Sequence, residues 1–204
     1  MYGYAGEVLR IDLAEGKITK EPLDSKLASD WLGGRGFAAQ ILYSELERGT
    51  DPLGPGNKLV VAAGSLSGLL IPGAGKTTLA AKSPLTGGYA DSNLGGHFCA
   101  EMKYAGYDGF IFEGVSPYPV YLFVDDDAVE LRDASRYWGQ GSITVETALK
   151  EELGEAFQIA TIGPAGEGLV KYSCVTHDFG RQAGRVGVGT VMGSKRLKAI
   201  AVRG

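Results

Sequence analysis

Three glycine-rich segments carry most of the residues that could do chemistry in this chain. The first, Gly73-Ala-Gly-Lys-Thr-Thr78, contains the Gly-Lys-Thr triplet of nucleotide phosphate loops. Such a loop needs G-x-x-x-x-G-K-[ST], so that successive N–H groups wrap a phosphate in front of a helix. Leu70 stands where the first glycine belongs, Pro72 lies inside the loop and Pro84 closes off a long following helix. A nucleotide-binding module built on Lys76 therefore stays only as an alternative. The second segment, Asn93-Leu-Gly-Gly-His97, runs into a helical pattern, where free N–H groups beside residues without Cβ suit a phosphate or another anion. The third is Arg181-Gln-Ala-Gly-Arg-Val-Gly-Val-Gly189, read as part of a loop from Gly180 to Gly193. It joins two guanidinium forks, which match phosphate geometry, to closely spaced glycines. It is no dinucleotide fingerprint, because no βαβ unit accompanies it.

The remaining reactive side chains are scattered. His97 and His177 have no carboxylate or cysteine at ligand spacing and read as hydrogen-bonded structural histidines. Cys99 and Cys174 lack a C-x-x-C partner and read as two buried thiols of a reducing cytoplasm. Asp125-Asp126-Asp127 reads as a solvated turn. No nucleophile–base pair and no twin carboxylate stands out.

Regular elements must hold these segments. Glu7–Leu13 alternates apolar and polar residues, Ala14-Glu15-Gly16 turns, and Lys17–Glu21 returns, which predicts a hairpin. Asp24 caps a helix carrying Leu27, Trp31 and Leu32; Gly33–Gly36 interrupts it, and a second helix carries Phe37, Ile41, Leu42 and Leu46. Lys58–Ala63 is a buried strand entering the first glycine loop, and Phe98, Met102 and Ala105 mark a short helix ended at Gly106. The order then recurs about 100 residues later. Val120–Val124 and Val129–Arg132 form a hairpin, Ser142 caps a helix with Val145, Ala148, Leu149 and Leu153, and Phe157–Ile162 is a buried strand before Gly163–Gly168. The expected fold is α+β: duplicated hairpin–helix–strand units, about 5–113 and 117–202, forming mostly antiparallel sheets around one core. Two anion loops at similar places in the two halves suit a ligand with two similar anionic ends.

Composition narrows the class. With 204 residues, 44% hydrophobic and 22% charged, the chain can bury a full core, so disorder is excluded. A net charge of −4 supplies no basic field for nucleic acid. The longest uncharged stretch, Leu59–Gly75, is broken by glycine, serine and proline, so no membrane span is expected, and no secretory signal is visible. The expected location is the cytoplasm. Glycine, at 32 residues, is the outlier, and its clustering marks sharp turns and close approaches.

At these loops the chain resembles a known family. Trp31-Leu-Gly-Gly-Arg-Gly36, Lys82-Ser-Pro-Leu-Thr-Gly87, Glu101–Asp108, Ile162-Gly-Pro-Ala-Gly-Glu167, Ala183–Gly189 and Met192–Ile200 are similar to the amino-terminal domain of tungsten-containing aldehyde ferredoxin oxidoreductases, collinearly from Tyr2 to Val202. The resemblance implies a duplicated base holding tungstopterin, a tungsten (or molybdenum) ion between two pterin dithiolenes. It implies a Mg2+ ion joining the pterin phosphates, bound by the backbone carbonyls of Asn93 and Ala183. Lys76, Leu94, Gly95, Gln182, Ala183, Gly184 and Arg185 complete the implied cofactor contacts, with Lys76 where relatives typically carry arginine. The [4Fe-4S] cluster, the proton-transfer residues and the substrate pocket of such enzymes lie in later domains, and electrons leave to ferredoxin. The implied partners are those catalytic domains, or a separate catalytic polypeptide if the chain is a stand-alone pterin-binding scaffold. Self-association into a homo-oligomer is compatible with the sequence.

Overall fold

The computed structural model describes residues 2–204. Glu7–Asp12 (β1) and Lys17–Pro22 (β2) pair as an antiparallel hairpin closed at Gly16, whose φ is +64°. Asp24 caps Ser25–Trp31 (α1) by accepting the Lys26 amide at 2.9 Å. Arg35–Glu45 (α2), Leu59–Ala63 (β3), Lys76–Lys82 (β4), Tyr89–Gly95 (β5), Phe98–Tyr104 (α3) and Tyr107–Glu113 (β6) complete the first half. The second half holds Val120–Asp125 (β7), Ala128–Asp133 (β8), a 3-10 turn at Ser135–Tyr137, Ser142–Leu153 (α4), Gln158–Thr161 (β9) and Pro164–Glu167 (α5). It ends with Val175–His177 (β10), Arg181–Ala183 (β11), Val188–Ser194 (α6) and Leu197–Arg203 (β12).

The strands form two six-stranded sheets, β2-β1-β6-β3-β4-β5 and β11-β10-β9-β12-β7-β8. Reversed, the second order is the first, strand for strand. In each sheet the first hairpin strand runs parallel to the last strand, and the other neighbours are antiparallel. The duplicated α+β fold expected from the sequence is therefore the one observed.

One apolar core lies between the sheets. Leu9, Ile11, Val61, Phe110 and Phe112 of one sheet meet Leu122, Val124, Ala160, Ile200 and Val202 of the other, with Phe98 and Met102 of α3 and Val191 and Met192 of α6 packed among them. Burying side chains of this kind contributes roughly 1.5–3 kcal/mol each. The outer faces carry their own helices: α2 covers Val60, Ala62 and Ala80, and α4 covers Ile159, Ala199 and Ala201. No helix of the described residues is long and apolar enough to cross a membrane.

The structure departs from the sequence reading at several points. The stretches read as glycine loops contain β4, β5, β11 and α6, and Pro164–Glu167 forms a one-turn helix. Strand β4 escaped notice because five consecutive residues are buried on both faces, which erases alternation. The α4 cap is Gly141, with no side-chain hydrogen bond, and Ser142 is the first helical residue. Cys99 is buried and Cys174 only half-buried, both as free thiols.

The two parallel pairings share a register shift that skips Asp108 in β6 and Lys198 in β12. Both skipped residues are buried charges, of opposite sign. Asp108 accepts the Ala5 and Gly6 amides at 3.1 and 2.7 Å and pairs with Lys103. Lys198 donates to the Gln140 carbonyl at 2.9 Å and pairs with Glu167. Removing one partner of a buried pair costs about 3–5 kcal/mol, whereas replacing both with apolar groups is often neutral. Glu167→Gln is thus expected to lower unfolding free energy by roughly that amount, and Glu167→Leu/Lys198→Met to regain most of it, as read by urea denaturation.

Candidate functional site

The site is built where the two sheets meet edge to edge. β5 and β11 are the terminal strands of their sheets, and they lie against each other. In an antiparallel ladder, alternate residues give both main-chain groups to one neighbour. The Ser83 amide donates to the Gly88 carbonyl at 2.8 Å, so the bonded pairs of β4–β5 fall at Leu79↔Ser92 and Thr77↔Leu94. That alternation turns the N–H and C=O groups of Asn93 and Gly95 to the free edge. In the other half, the Ile162 amide donates to the Lys198 carbonyl at 3.1 Å, so Thr161 faces β10 and Thr176 is spent on β9. Ala183 is then bonded to Val175 and Arg181 to His177, and Gln182 keeps its main-chain groups on the free edge.

The registers also define equivalent positions. Ala62, Thr78 and Asn93 line up across β3–β4–β5, and Thr161, Thr176 and Gln182 line up across β9–β10–β11. Asn93-Leu94-Gly95 therefore corresponds to Gln182-Ala183-Gly184. Leu94 and Ala183 are both fully buried in the central core, so their side chains anchor the strands rather than line the site. The register equivalent of Asn93 is Gln182, and Ala183, whose carbonyl the resemblance implies for Mg2+ beside that of Asn93, is the next residue of β11.

Asn93, Gln182, Gly184 and Arg185 line one open groove of about 550 Å³, together with Arg35 and Asp91. Arg35 grips Asp91 in bidentate fashion, Nε–Oδ2 at 2.6 Å and NH2–Oδ1 at 2.8 Å. Arg185 holds φ +76°, a left-handed conformation unusual for a side-chain-bearing residue, and its equivalent in the first half is Gly96 at +109°. Lys76 and Arg181 converge beside this groove: a Cβ placed on Gly95 would stand 3.3 Å from Lys76 Nζ and 3.6 Å from Arg181 NH1. Glycine there leaves the backbone bare to whatever the two cations hold. Arg181 itself is steadied by Asp178, whose carboxyl it holds below the usual range, at 2.8 Å. Arg181 lies outside the set that the resemblance implies, although the sequence already marks it as one of the two guanidiniums of the third glycine-rich segment.

The other sequence candidates sort cleanly. Lys76-Thr77 opens a strand, with Thr77 and Thr78 buried, so no helix begins behind Gly75 and the nucleotide loop is excluded geometrically. His97 is exposed and caps α3 with its backbone alone. Asp127 is exposed at the β7–β8 turn and pairs with Lys20, while Asp125 pairs with Arg203. Among the described residues no group of three His, Cys, Asp or Glu side chains could hold a metal ion. A larger apolar groove of about 720 Å³, beside Trp31, Tyr43 and Tyr89, shares no lining residue with the inter-sheet groove.

His177 packs against the turn at Gly96 that follows β5. It is fully buried, its Nδ1 is 2.9 Å from the Ile159 carbonyl, and its Nε2 has no partner. The carbonyl fixes the proton on Nδ1, and burial pushes the imidazole below its ordinary pKa, so the ring is neutral. Its edge presses on Gly96, where an added Cβ would meet Nε2 at 2.7 Å.

Fold and groove together bring the backbone edges, glycines and cations of two like units to one groove. The family model described as aldehyde ferredoxin oxidoreductase, N-terminal domain, matches residues 8–204, and the chain belongs to that family. It is 49% identical, over its whole length, to the tungsten-containing aldehyde ferredoxin oxidoreductase of Pyrococcus abyssi and 48% to that of Pyrococcus furiosus, covering 34% of each. It is 37% identical to a Pyrococcus furiosus protein named aliphatic sulfonate oxidoreductase, WOR-like subunit. Among solved structures, the active site complex BamBC of benzoyl coenzyme A reductase with 1,5-dienoyl-CoA matches all of this chain and 31% of the matched chain, at a TM-score of 0.97 and 42% identity. The chain thus spans about a third of the length of these relatives.

The neutral His177 sets a pH dependence. The unfolded chain takes up a proton below about pH 6.5, which the folded ring resists, so the stability it contributes is complete above that pH and is lost as pH falls below it. Urea midpoints at pH 7.5 and 5.5 should differ more for the wild type than for His177→Leu, which installs the residue found at the equivalent position, Leu79.

Proposed function

We propose that this chain is the tungstopterin-holding base of an oxidoreductase that converts aldehydes to carboxylic acids. The observation that carries the reading is the convergence of both edge strands on one groove with their main-chain groups free. Carbonyl groups from the two edge strands, those of Asn93 in β5 and Ala183 in β11, would hold a Mg2+ ion beside the cofactor's phosphates. Lys76, Arg181 and Arg185 supply charge for the phosphates, with Lys76 acting as a point charge where a guanidinium would make a fork. Gly95 and Gly184 let the flat pterins approach the backbone. The two pterins would supply the sulfur ligands to the metal.

When bound, the tungsten centre, or molybdenum in its place, supplies the two-electron redox chemistry. The protein's part here is to bind, orient and neutralise. The rest of the pocket, the [4Fe-4S] exit to ferredoxin and the proton-transfer groups would come from the remaining catalytic domains or from a separate subunit, in the cytoplasm. Leu66, Leu69, Leu70 and Ile71, exposed on the loop between β3 and β4, favour a covering polypeptide in either arrangement.

Produced in a tungsten-using host together with its catalytic portion, the protein is expected to retain tungsten and magnesium by elemental analysis. Lys76→Ala/Arg181→Ala should lower tungsten content about tenfold or more, since each charge-assisted bond contributes roughly 1.5–3 kcal/mol. Tungsten content unchanged by that double substitution, or a wild type holding neither tungsten nor molybdenum, would remove the reading. Supplied with cofactor but without the catalytic portion, the chain should not reduce a viologen dye with aldehyde.

A further inference from the structure

The larger, apolar groove lies beside α2, on the outer face of the first sheet, and its volume of about 720 Å³ is usual for a small-molecule site. The packing of α2 creates it. Phe37, Ala38, Ile41 and Leu42 turn one stripe of that helix onto the sheet. Ala39, Tyr43 and Leu46, at i, i+4 and i+7, form the neighbouring stripe and become one wall of the groove. Trp31, at the end of α1, and Tyr89, at the start of β5, supply two more aromatic walls.

Both of these rings are rooted from behind. The Trp31 carbonyl accepts the Gly33 amide at 2.7 Å and stands where a Cβ on Gly36 would meet it at 2.0 Å. The Tyr89 hydroxyl donates to Asp91 at 3.1 Å, so its polar end is spent and the ring is what remains. Yet Trp31, Tyr43 and Tyr89 are 43%, 88% and 46% exposed. Three large rings left in water around one concavity are apolar area that a ligand can cover.

The charges of the groove are of one sign. Arg48 and Lys82 line it, and no acidic side chain does. Glu45, the acid that ends α2, is already held by Arg10 and Lys58. Lys82 gives one N–H to the Thr50 carbonyl at 2.7 Å, which holds the ammonium in place without neutralising it. The Thr50 amide closes a turn onto the Glu47 carbonyl at 3.2 Å, and Arg48 lies within that turn. The tie from Lys82 to Thr50 therefore sets both cations at one end of the groove, past the last turn of α2.

We infer that this groove binds an amphipathic carboxylate of the fatty-acid kind. Its hydrocarbon chain covers Leu46 and the rings of Trp31, Tyr43 and Tyr89, and its carboxylate meets Arg48 and Lys82. The Arg48 fork can take both carboxylate oxygens, while the Lys82 ammonium acts as a point charge. The site shares no lining residue with the inter-sheet groove, and the inference does not depend on what that groove holds.

The test is tryptophan fluorescence. The chain has two tryptophans, Trp31 and Trp138, so in Trp138→Phe the emission reports Trp31 alone. Titration with sodium decanoate should move that emission to the blue along a saturation curve, as the indole leaves water. Tyr43→Glu, at a highly exposed position, should abolish the change, and Arg48→Gln/Lys82→Gln should weaken binding about tenfold or more. Decanol should bind about tenfold more weakly than decanoate, and only the decanoate affinity should fall as sodium chloride is raised. Decanol bound as tightly as decanoate, or a double variant of unchanged affinity, would overturn the inference. So would the absence of a saturable shift. A chain that sediments as a dimer, becomes monomeric with Tyr43→Glu and takes up no decanoate in either form would also overturn it, the groove then being an interface between copies.

Discussion

A sheet edge is a row of backbone groups that must be satisfied by something. Here two sheets of identical strand order end at β5 and β11, and those edges are set against each other without joining into a ladder. The alternation of antiparallel bonding decides which groups stay free, and on both sides it selects the same position: Asn93 and Gln182. Glycines at the next positions, 95 and 184, keep the backbone bare, and the cations gather around it. Most other features of the molecule serve to hold these two edges in register.

The central core supplies that rigidity. Leu94 and Ala183 sit one residue beyond the free-edge positions and are fully buried between the sheets, so neither strand can slip by one residue without exposing an anchor. His177 reaches from the second half to press on Gly96 of the first, which ties the β5–α3 turn to β10. The left-handed turn after each edge strand, at Gly96 and Arg185, completes the pseudo-twofold. Only one of the two uses glycine. At Arg185 a backbone conformation that costs about 1–3 kcal/mol is maintained beside the groove, the kind of place where such strain is found.

The two halves keep topology and let chemistry diverge. The parallel pairing of the outer hairpin with the last strand needs a register shift in both halves, and the skipped residue is an acid in one and a base in the other. Each solves its burial with its own partner, Lys103 or Glu167. Such positions impose a local requirement, a satisfied buried charge, and are indifferent to its sign.

Much of this was legible in the chain. Alternation and a turn glycine gave the first hairpin, the acidic turn Asp125–Asp127 between two short strands gave the second, Asp24 gave a cap, short apolar runs gave β3 and β9, and the repeated order gave two like units. The motifs pointed to the family. What stayed hidden were β4, β6 and β12, whose runs of residues buried on both faces lose period-two patterning, and β5, β10 and β11, which are too polar or too short to show it. Sequence spacing fixes which residues can be near in a strand or turn. Which main-chain groups point outward, and which residues from opposite halves share a groove, depends on register and on packing across 90 residues of intervening chain, about the separation of Asn93 and Gln182. Those are properties of assembled ladders, where one residue of slip reverses every group, and only the tertiary structure decides them.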